Sequence, residues 1–198
     1  MITSENTKTI YDLVQNAGRE YGDATFLRYE DNDVIYDVSF AQFSAQCQSI
    51  ASWVRAQEAR LGRKIHVALL GTSSHHYLAG LLGVMCAGSV SVPLDIQGNL
   101  DTLTDCLNRS DVDILFYDWE QHTLAEAAFE RCPGLSSCIS LQHGRHAYCS
   151  DNILKEYSGQ SVLPGAGPED LAMILFTSGT TGKGKGVMLS QGNLIDNT

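Results

Sequence analysis

The chain has 198 residues, enough for one domain with a real core or for a domain and a small appendage. Thirteen Lys and Arg stand against 23 Asp and Glu, a net charge of -10 with the basic residues scattered, which excludes a phosphate-backbone partner such as nucleic acid. Six cysteines with no C-x-x-C spacing, behind a polar start that lacks an apolar h-region, point to free thiols in a reducing cytoplasm rather than to a disulfide scaffold or a targeting segment.

In chain order, Thr9-Ile-Tyr-Asp12 fits a capping box, and Ile10, Leu13, Val14, Ala17 and Tyr21 share one face of a helix that Gly22 can close. The β-rich runs 25–30 and 34–38 flank Asp31-Asn-Asp33 as a hairpin. Ser39-x-x-Gln42 then caps a second helix, whose stripe Phe40, Phe43, Cys47, Ile50 and Val54 is core. A short apolar strand, 65–70, leads to Gly71 and a helix over 75–87, with His75-His76 as its exposed first turn. Only one of the three glycines of a dinucleotide fingerprint is present there. The uncharged stretch 77–94 holds Gly80, Gly83, Gly88 and Pro93, and reads as helix then strand rather than as a transmembrane segment.

Asn99 is an N-cap for a helix lined by Leu100, Leu103 and Leu107, and 113–117 is the next strand. A helix over 123–131, a strand over 137–141 and a short helix over 151–157 follow, and the Gly/Pro-rich stretch 158–169 is a surface connector. His143 and His146 have no carboxylate or cysteine at ligand spacing and read as an exposed turn rather than a metal site. Strands alternating with helices predict an α/β fold with a mainly parallel sheet and helices on both faces.

The most informative stretch runs from Leu171 to Ser190. Its apolar start, 171–176, reads as a buried strand that stops in a loop of hydroxyls, glycines and lysines. Gly179, Gly182, Gly184 and Gly186 let backbone N–H groups curl around phosphate oxygens. Thr177, Ser178, Thr180 and Thr181 add hydroxyl donors, and Lys183 and Lys185 add positive charge, so the implied ligand is a polyphosphate. A P-loop is matched from Gly179 to Lys185 but fails at Gly186, where its magnesium-binding hydroxyl belongs, and the strand-like Val187-Met-Leu189 replaces its helix.

At these residues the chain resembles the adenylate-forming superfamily of acyl-CoA synthetases, luciferases and peptide-synthetase adenylation domains. Its signature Thr-Ser-Gly-Thr-Thr-Gly-x-Pro-Lys-Gly-Val is matched from Thr177 to Val187 except at Gly184, which replaces the proline. Met188-Leu-Ser190 and Asn193-Leu194 resemble the continuation found in fatty acyl-CoA synthetases, with Gln191 replacing a histidine, and the segment from Cys86 to Asp95 resembles a second family motif. The resemblance implies a two-step ligase in which a carboxylate attacks the α-phosphorus of ATP, with Mg2+, and the acyl-adenylate passes to CoA or to a carrier-protein thiol. It assigns Thr177, Ser178, Gly179, Thr180, Thr181, Gly182, Lys183 and Lys185 to the ATP phosphates, and no catalytic or metal-ligating residue to this chain. It further implies that residues 1–198 are an N-terminal piece of an adenylation domain, probed best by the length of the reading frame, inactive alone and prone to self-association. A free-standing, non-catalytic module that binds a nucleotide or a partner protein is the other reading.

Overall fold

The computed structural model describes residues 6–31, 33–142, 148–177 and 184–197. The turn expected at His143 and His146 lies outside them. Both expected capping boxes form. At the first, the Thr9 hydroxyl accepts the Asp12 N–H at 3.2 Å while Asp12 Oδ2 accepts the Thr9 N–H at 3.0 Å, opening α1, Ile10–Tyr21. At the second, Ser39 and Gln42 do the same for α2, Phe40–Leu61, which Gly62 closes in the left-handed region at φ 71°. Of the α1 stripe, Ile10 and Val14 are buried, whereas Tyr21 is exposed and rests its ring 4.8 Å from Phe40. Between the helices β1, Thr25–Asp31, and β2, Val34–Ser39, form an antiparallel hairpin with Tyr29 opposite Tyr36.

The main sheet has six strands in the order β6-β5-β3-β4-β7-β8. These are β3 His66–Leu70, β4 Val90–Leu94, β5 Ile114–Tyr117, β6 Ser137–Ser140, β7 Leu171–Thr177 and β8 Lys185–Ser190. All neighbours pair in parallel except β8, which runs antiparallel to β7 at the edge. Between them lie α3, His75–Cys86, α4, Leu100–Arg109, α5, His122–Arg131, and α6, Ser150–Glu156; α7, Gln191–Ile195, follows β8. Central parallel strands covered on both faces read as near-continuous apolar runs, and β3 after His66 and the whole of β5 do. Val67, Leu69, Ile114 and Phe116 enter the core under α1, α2, α3 and α6, while Ala68, Leu70, Leu115 and Tyr117 enter a second core under α4 and α5.

Small residues on α3 let it approach both α2 and the sheet. A Cβ on Gly83 would lie 2.7 Å from Ile50 Cβ and 3.1 Å from the Cys47 carbonyl oxygen, so the two helices meet almost backbone to backbone. Among the described residues no helix is long and apolar enough to cross a membrane.

The first turn of α3 corrects an expectation. His75 is half-buried: its ring stacks 4.8 Å from Tyr29 and meets the His76 ring at a tilt with centroids 4.1 Å apart, and both ring nitrogens are buried without a hydrogen-bond partner among the described residues. The reason is tertiary, because the β1–β2 hairpin folds back over the helix start, and no local signal announces that. Burial, with the nearby His76 adding to it against the opposing Asp151, pulls the His75 pKa from 6.5 down to about 4. The unfolded chain therefore binds a proton near pH 6.5 that the folded chain refuses until about 4, so stability is full above 6.5 and falls as pH drops through that window. Thermal melts from pH 7 to pH 4 should show a steeper loss for the wild type than for His75→Phe, which keeps the stack. Equal slopes would mean that the folded state protonates this ring freely.

Candidate functional site

The β7–β8 hairpin carries the residues expected to hold phosphate. Parallel strands end along one edge of a sheet, and in open α/β sheets ligands bind outside those carboxyl ends. Thr177 is the last residue of β7 and so lies at that edge. Directly opposite it in the register is Lys185, the first residue of β8, with the Thr177 hydroxyl 3.5 Å from the Lys185 carbonyl oxygen. Both side chains are exposed. Of the eight residues assigned to the phosphates, the structure thus brings these two together; Ser178, Gly179, Thr180, Thr181, Gly182 and Lys183 lie outside the described residues.

Strand β7 is less buried than its apolar run suggests. Ala172 and Ile174 are buried, but Leu175 is 39% exposed, as are Val187 at 42% and Met188 at 67% on β8. An edge hairpin receives helix cover over only part of its length, whereas β3 and β5 receive it throughout.

Two residues whose structural part no local sequence pattern shows hold the hairpin in place. Gln191, at the start of α7, is fully buried; its Oε1 accepts the Ile10 N–H at 3.0 Å and its Nε2 donates to the Met85 carbonyl at 3.2 Å. It thereby satisfies an orphan donor at the start of α1 and a carbonyl near the end of α3. Arg109, the last residue of α4, donates from Nη1 to the Gly184 carbonyl at 2.8 Å and to Asp105 Oδ2 at 3.1 Å, and its guanidinium lies 5.5 Å from the centre of the Phe176 ring. These partners are 75 and 67 residues away in sequence, beyond any local pattern.

The donor set suits an anion. Residues 171–190 contain hydroxyls and lysines and no Asp or Glu, so the hairpin itself carries no charge that repels a phosphate. Among the described residues no group of three or more His, Cys, Asp and Glu is placed to hold a metal ion. All six cysteines are free, and burial pushes the Cys47, Cys86, Cys106, Cys132 and Cys138 thiols up, away from the reactive thiolate.

A family model described as AMP-binding enzyme matches residues 14–198. The chain belongs to the AMP-binding enzyme family. Among its relatives are the nonribosomal peptide synthetase agiA of Aspergillus flavus, 25% identical over 94% of this chain, and the indoleacetate–CoA ligase of Aromatoleum aromaticum, 31% identical over 92% of it. The chain spans 2% of the first relative and 35% of the second. The anthranilate CoA ligase AuaEII, solved with anthranoyl-AMP, superposes with a TM-score of 0.80 at 18% identity, over 97% of this chain and 37% of that one. At that identity the match concerns the fold alone. The resemblance read from Thr177 to Val187 and the mainly parallel α/β fold are both confirmed as those of an AMP-binding enzyme.

Proposed function

We propose that this chain is the N-terminal, phosphate-holding portion, residues 1–198, of a cytoplasmic acid–thiol ligase that activates a medium- or long-chain fatty acid with ATP and passes the acyl group to CoA. The observation that carries this reading is the edge hairpin that sets Thr177 opposite Lys185 at the carboxyl ends of a parallel sheet. In the reaction, a carboxylate oxygen forms a bond to the α-phosphorus as the bond to the departing pyrophosphate breaks. No general base is required, since the carboxylate is already ionised. What the step requires is preplaced positive charge and donors for the negative charge that builds on pyrophosphate. Thr177, Ser178, Thr180 and Thr181 would donate hydroxyl hydrogens to phosphate oxygens, and Lys183 and Lys185 would supply charge. Mg2+ arriving with the nucleotide would neutralise part of the remainder.

A CoA ligase and a peptide synthetase are each 31% identical to this chain where they align, so the CoA acceptor is favoured over a carrier-protein thiol only by the flank of the motif. The fatty acid is favoured by Phe176 and the Val187-Met-Leu-Ser190 flank, which resemble fatty acyl-CoA synthetases. The test incubates the full-length enzyme, and separately the 198-residue chain, with ATP, Mg2+ and a panel of acids, following labelled pyrophosphate into ATP and then CoA thioester. The full-length enzyme should exchange best with fatty acids. The chain alone should not, because near-attack positioning of both reactants accounts for roughly 7–11 kcal/mol of such a barrier. Its exposed Val187 and Met188 should make it self-associate. Absence of exchange with every acid in the full-length enzyme would overturn the ligase reading, and acid-dependent exchange by the chain alone would overturn the reading of it as a portion.

A further inference from the structure

The residue that replaces the signature proline, Gly184, is held from outside the hairpin. Glycine gives this position more backbone freedom than any other residue, immediately before the lysine whose charge must be placed. A single guanidinium offsets that freedom. Arg109 Nη1 bonds the Gly184 carbonyl at 2.8 Å on the β8 side, and the same group lies 5.5 Å from the Phe176 ring on the β7 side. Phe176 and Gly184 each immediately precede a member of the opposed pair Thr177 and Lys185. Asp105, one turn back on α4, holds the guanidinium from behind at 3.1 Å, and α4 itself is anchored through Leu103 and Leu107 in the core. One nitrogen of the guanidinium serves both the carbonyl and the carboxylate while the group also meets the ring.

We propose that Arg109 is a positioning residue for the phosphate site, fixing Gly184 in the role that proline fills elsewhere in the family. This rests on the reading of the hairpin as the ATP phosphate site. Arg109 acts on free enzyme, by raising the fraction of hairpins already arranged for the nucleotide, and apparent affinity scales with that fraction. Its effect therefore falls on KM for ATP and not on the chemical step. With the Arg109 side chain 41% exposed, the contact is moderate rather than dominant.

In the full-length enzyme, Arg109→Ala should raise KM for ATP about tenfold, with kcat and the KM for the acid within about twofold of wild type. Adding Gly184→Pro should recover part of that loss, since the ring fixes φ at the same residue. A Cβ there would lie 3.1 Å from the Thr177 carbonyl oxygen, which must yield by a few tenths of an ångström, so partial recovery is the expected result. A second readout is independent of turnover: amide hydrogen exchange over 185–190 should speed up in Arg109→Ala. An unchanged KM for ATP in a folded Arg109→Ala would overturn the proposal. So would a fall in kcat at constant KM, which would place the guanidinium on the reacting phosphates instead. No recovery on adding Gly184→Pro would overturn the equivalence with proline. Faster amide exchange in a full-length protein that never adenylates would uphold the pinning and count against the ligase reading, so the two failures are distinguishable.

Discussion

Lys185→Ala in the full-length enzyme is expected to lower acid-dependent pyrophosphate exchange by about 100- to 1000-fold, the usual cost of removing one donor aimed at developing negative charge. Thr181→Ala should act in the same range. Lys185 pairs with Thr177 through its backbone, so truncating its side chain leaves the ladder between β7 and β8 in place. The side chain is exposed and belongs to neither core, so the melting temperature should stay within about 2 °C of wild type, as surface changes rarely exceed about 0.5 kcal/mol. The check is an exchange assay run beside a melting curve on both variants. Undiminished exchange in both would remove this loop from the reaction.

Gly83→Ala is expected to lower the stability of the fold. Helix propensity alone favours alanine by about 0.8–1 kcal/mol, so the sign is decided by packing. At Gly83 the added Cβ would meet Ile50 Cβ at 2.7 Å and the Cys47 carbonyl at 3.1 Å, atoms fixed to the α2 backbone that can yield only if the helices separate. Overpacking of that kind costs about 1–3 kcal/mol, or about 2–4 °C of melting temperature per kcal/mol in a chain of this size. Gly80 is the control on the same helix. There a Cβ would meet the outer atoms of Phe116, Leu69 and Leu141 at 3.2 to 3.4 Å, which side-chain rotation can relieve. Gly80→Ala should be close to neutral. If Gly83→Ala proves no worse than Gly80→Ala, α2 and α3 do not meet as closely as described.

Most of the fold is legible in the sequence because its determinants are local. Thr9 with Asp12 and Ser39 with Gln42 are three residues apart, and both boxes form. The continuous apolar runs of β3 and β5 declare strands covered on both sides, and their alternating residues divide cleanly between two cores. The motif from Thr177 to Val187 likewise announces a strand, a loop and a returning strand, and β7 and β8 are those strands. What is not legible depends on which distant elements meet. The His75 ring nitrogens are buried because Tyr29 lies over the ring, Leu175 is exposed because helix cover runs out along β7, and Arg109 reaches Gly184 only through the packing of α4 beside the hairpin. Gln191 carries the same lesson. It stands where the family continuation has histidine, and its use as a buried link between α1 and α3 depends on residues 181 and 106 positions earlier.

The strand order fixes a sequence of events during synthesis. β3, β4, β5 and β6 are complete by Ser140, but the neighbour of β4, the strand β7, begins only at Leu171 and meets β4 in register at a single pair, Ser91 with Met173. At about 5–20 residues per second, a ribosome needs roughly 2–6 s to add the intervening stretch. For that time the β4 edge has no partner within its own chain, and the backbone groups of 90–94 present an open template to other nascent chains. The hairpin that ends the wait is itself local, since β7 and β8 pair across a short loop, so it can form in microseconds once synthesised and dock as a unit. The piece that carries the phosphate-binding residues is thus also the piece that covers the β4 edge, and a cell short of chaperone capacity should lose this enzyme to aggregation before residue 171 more readily than after it.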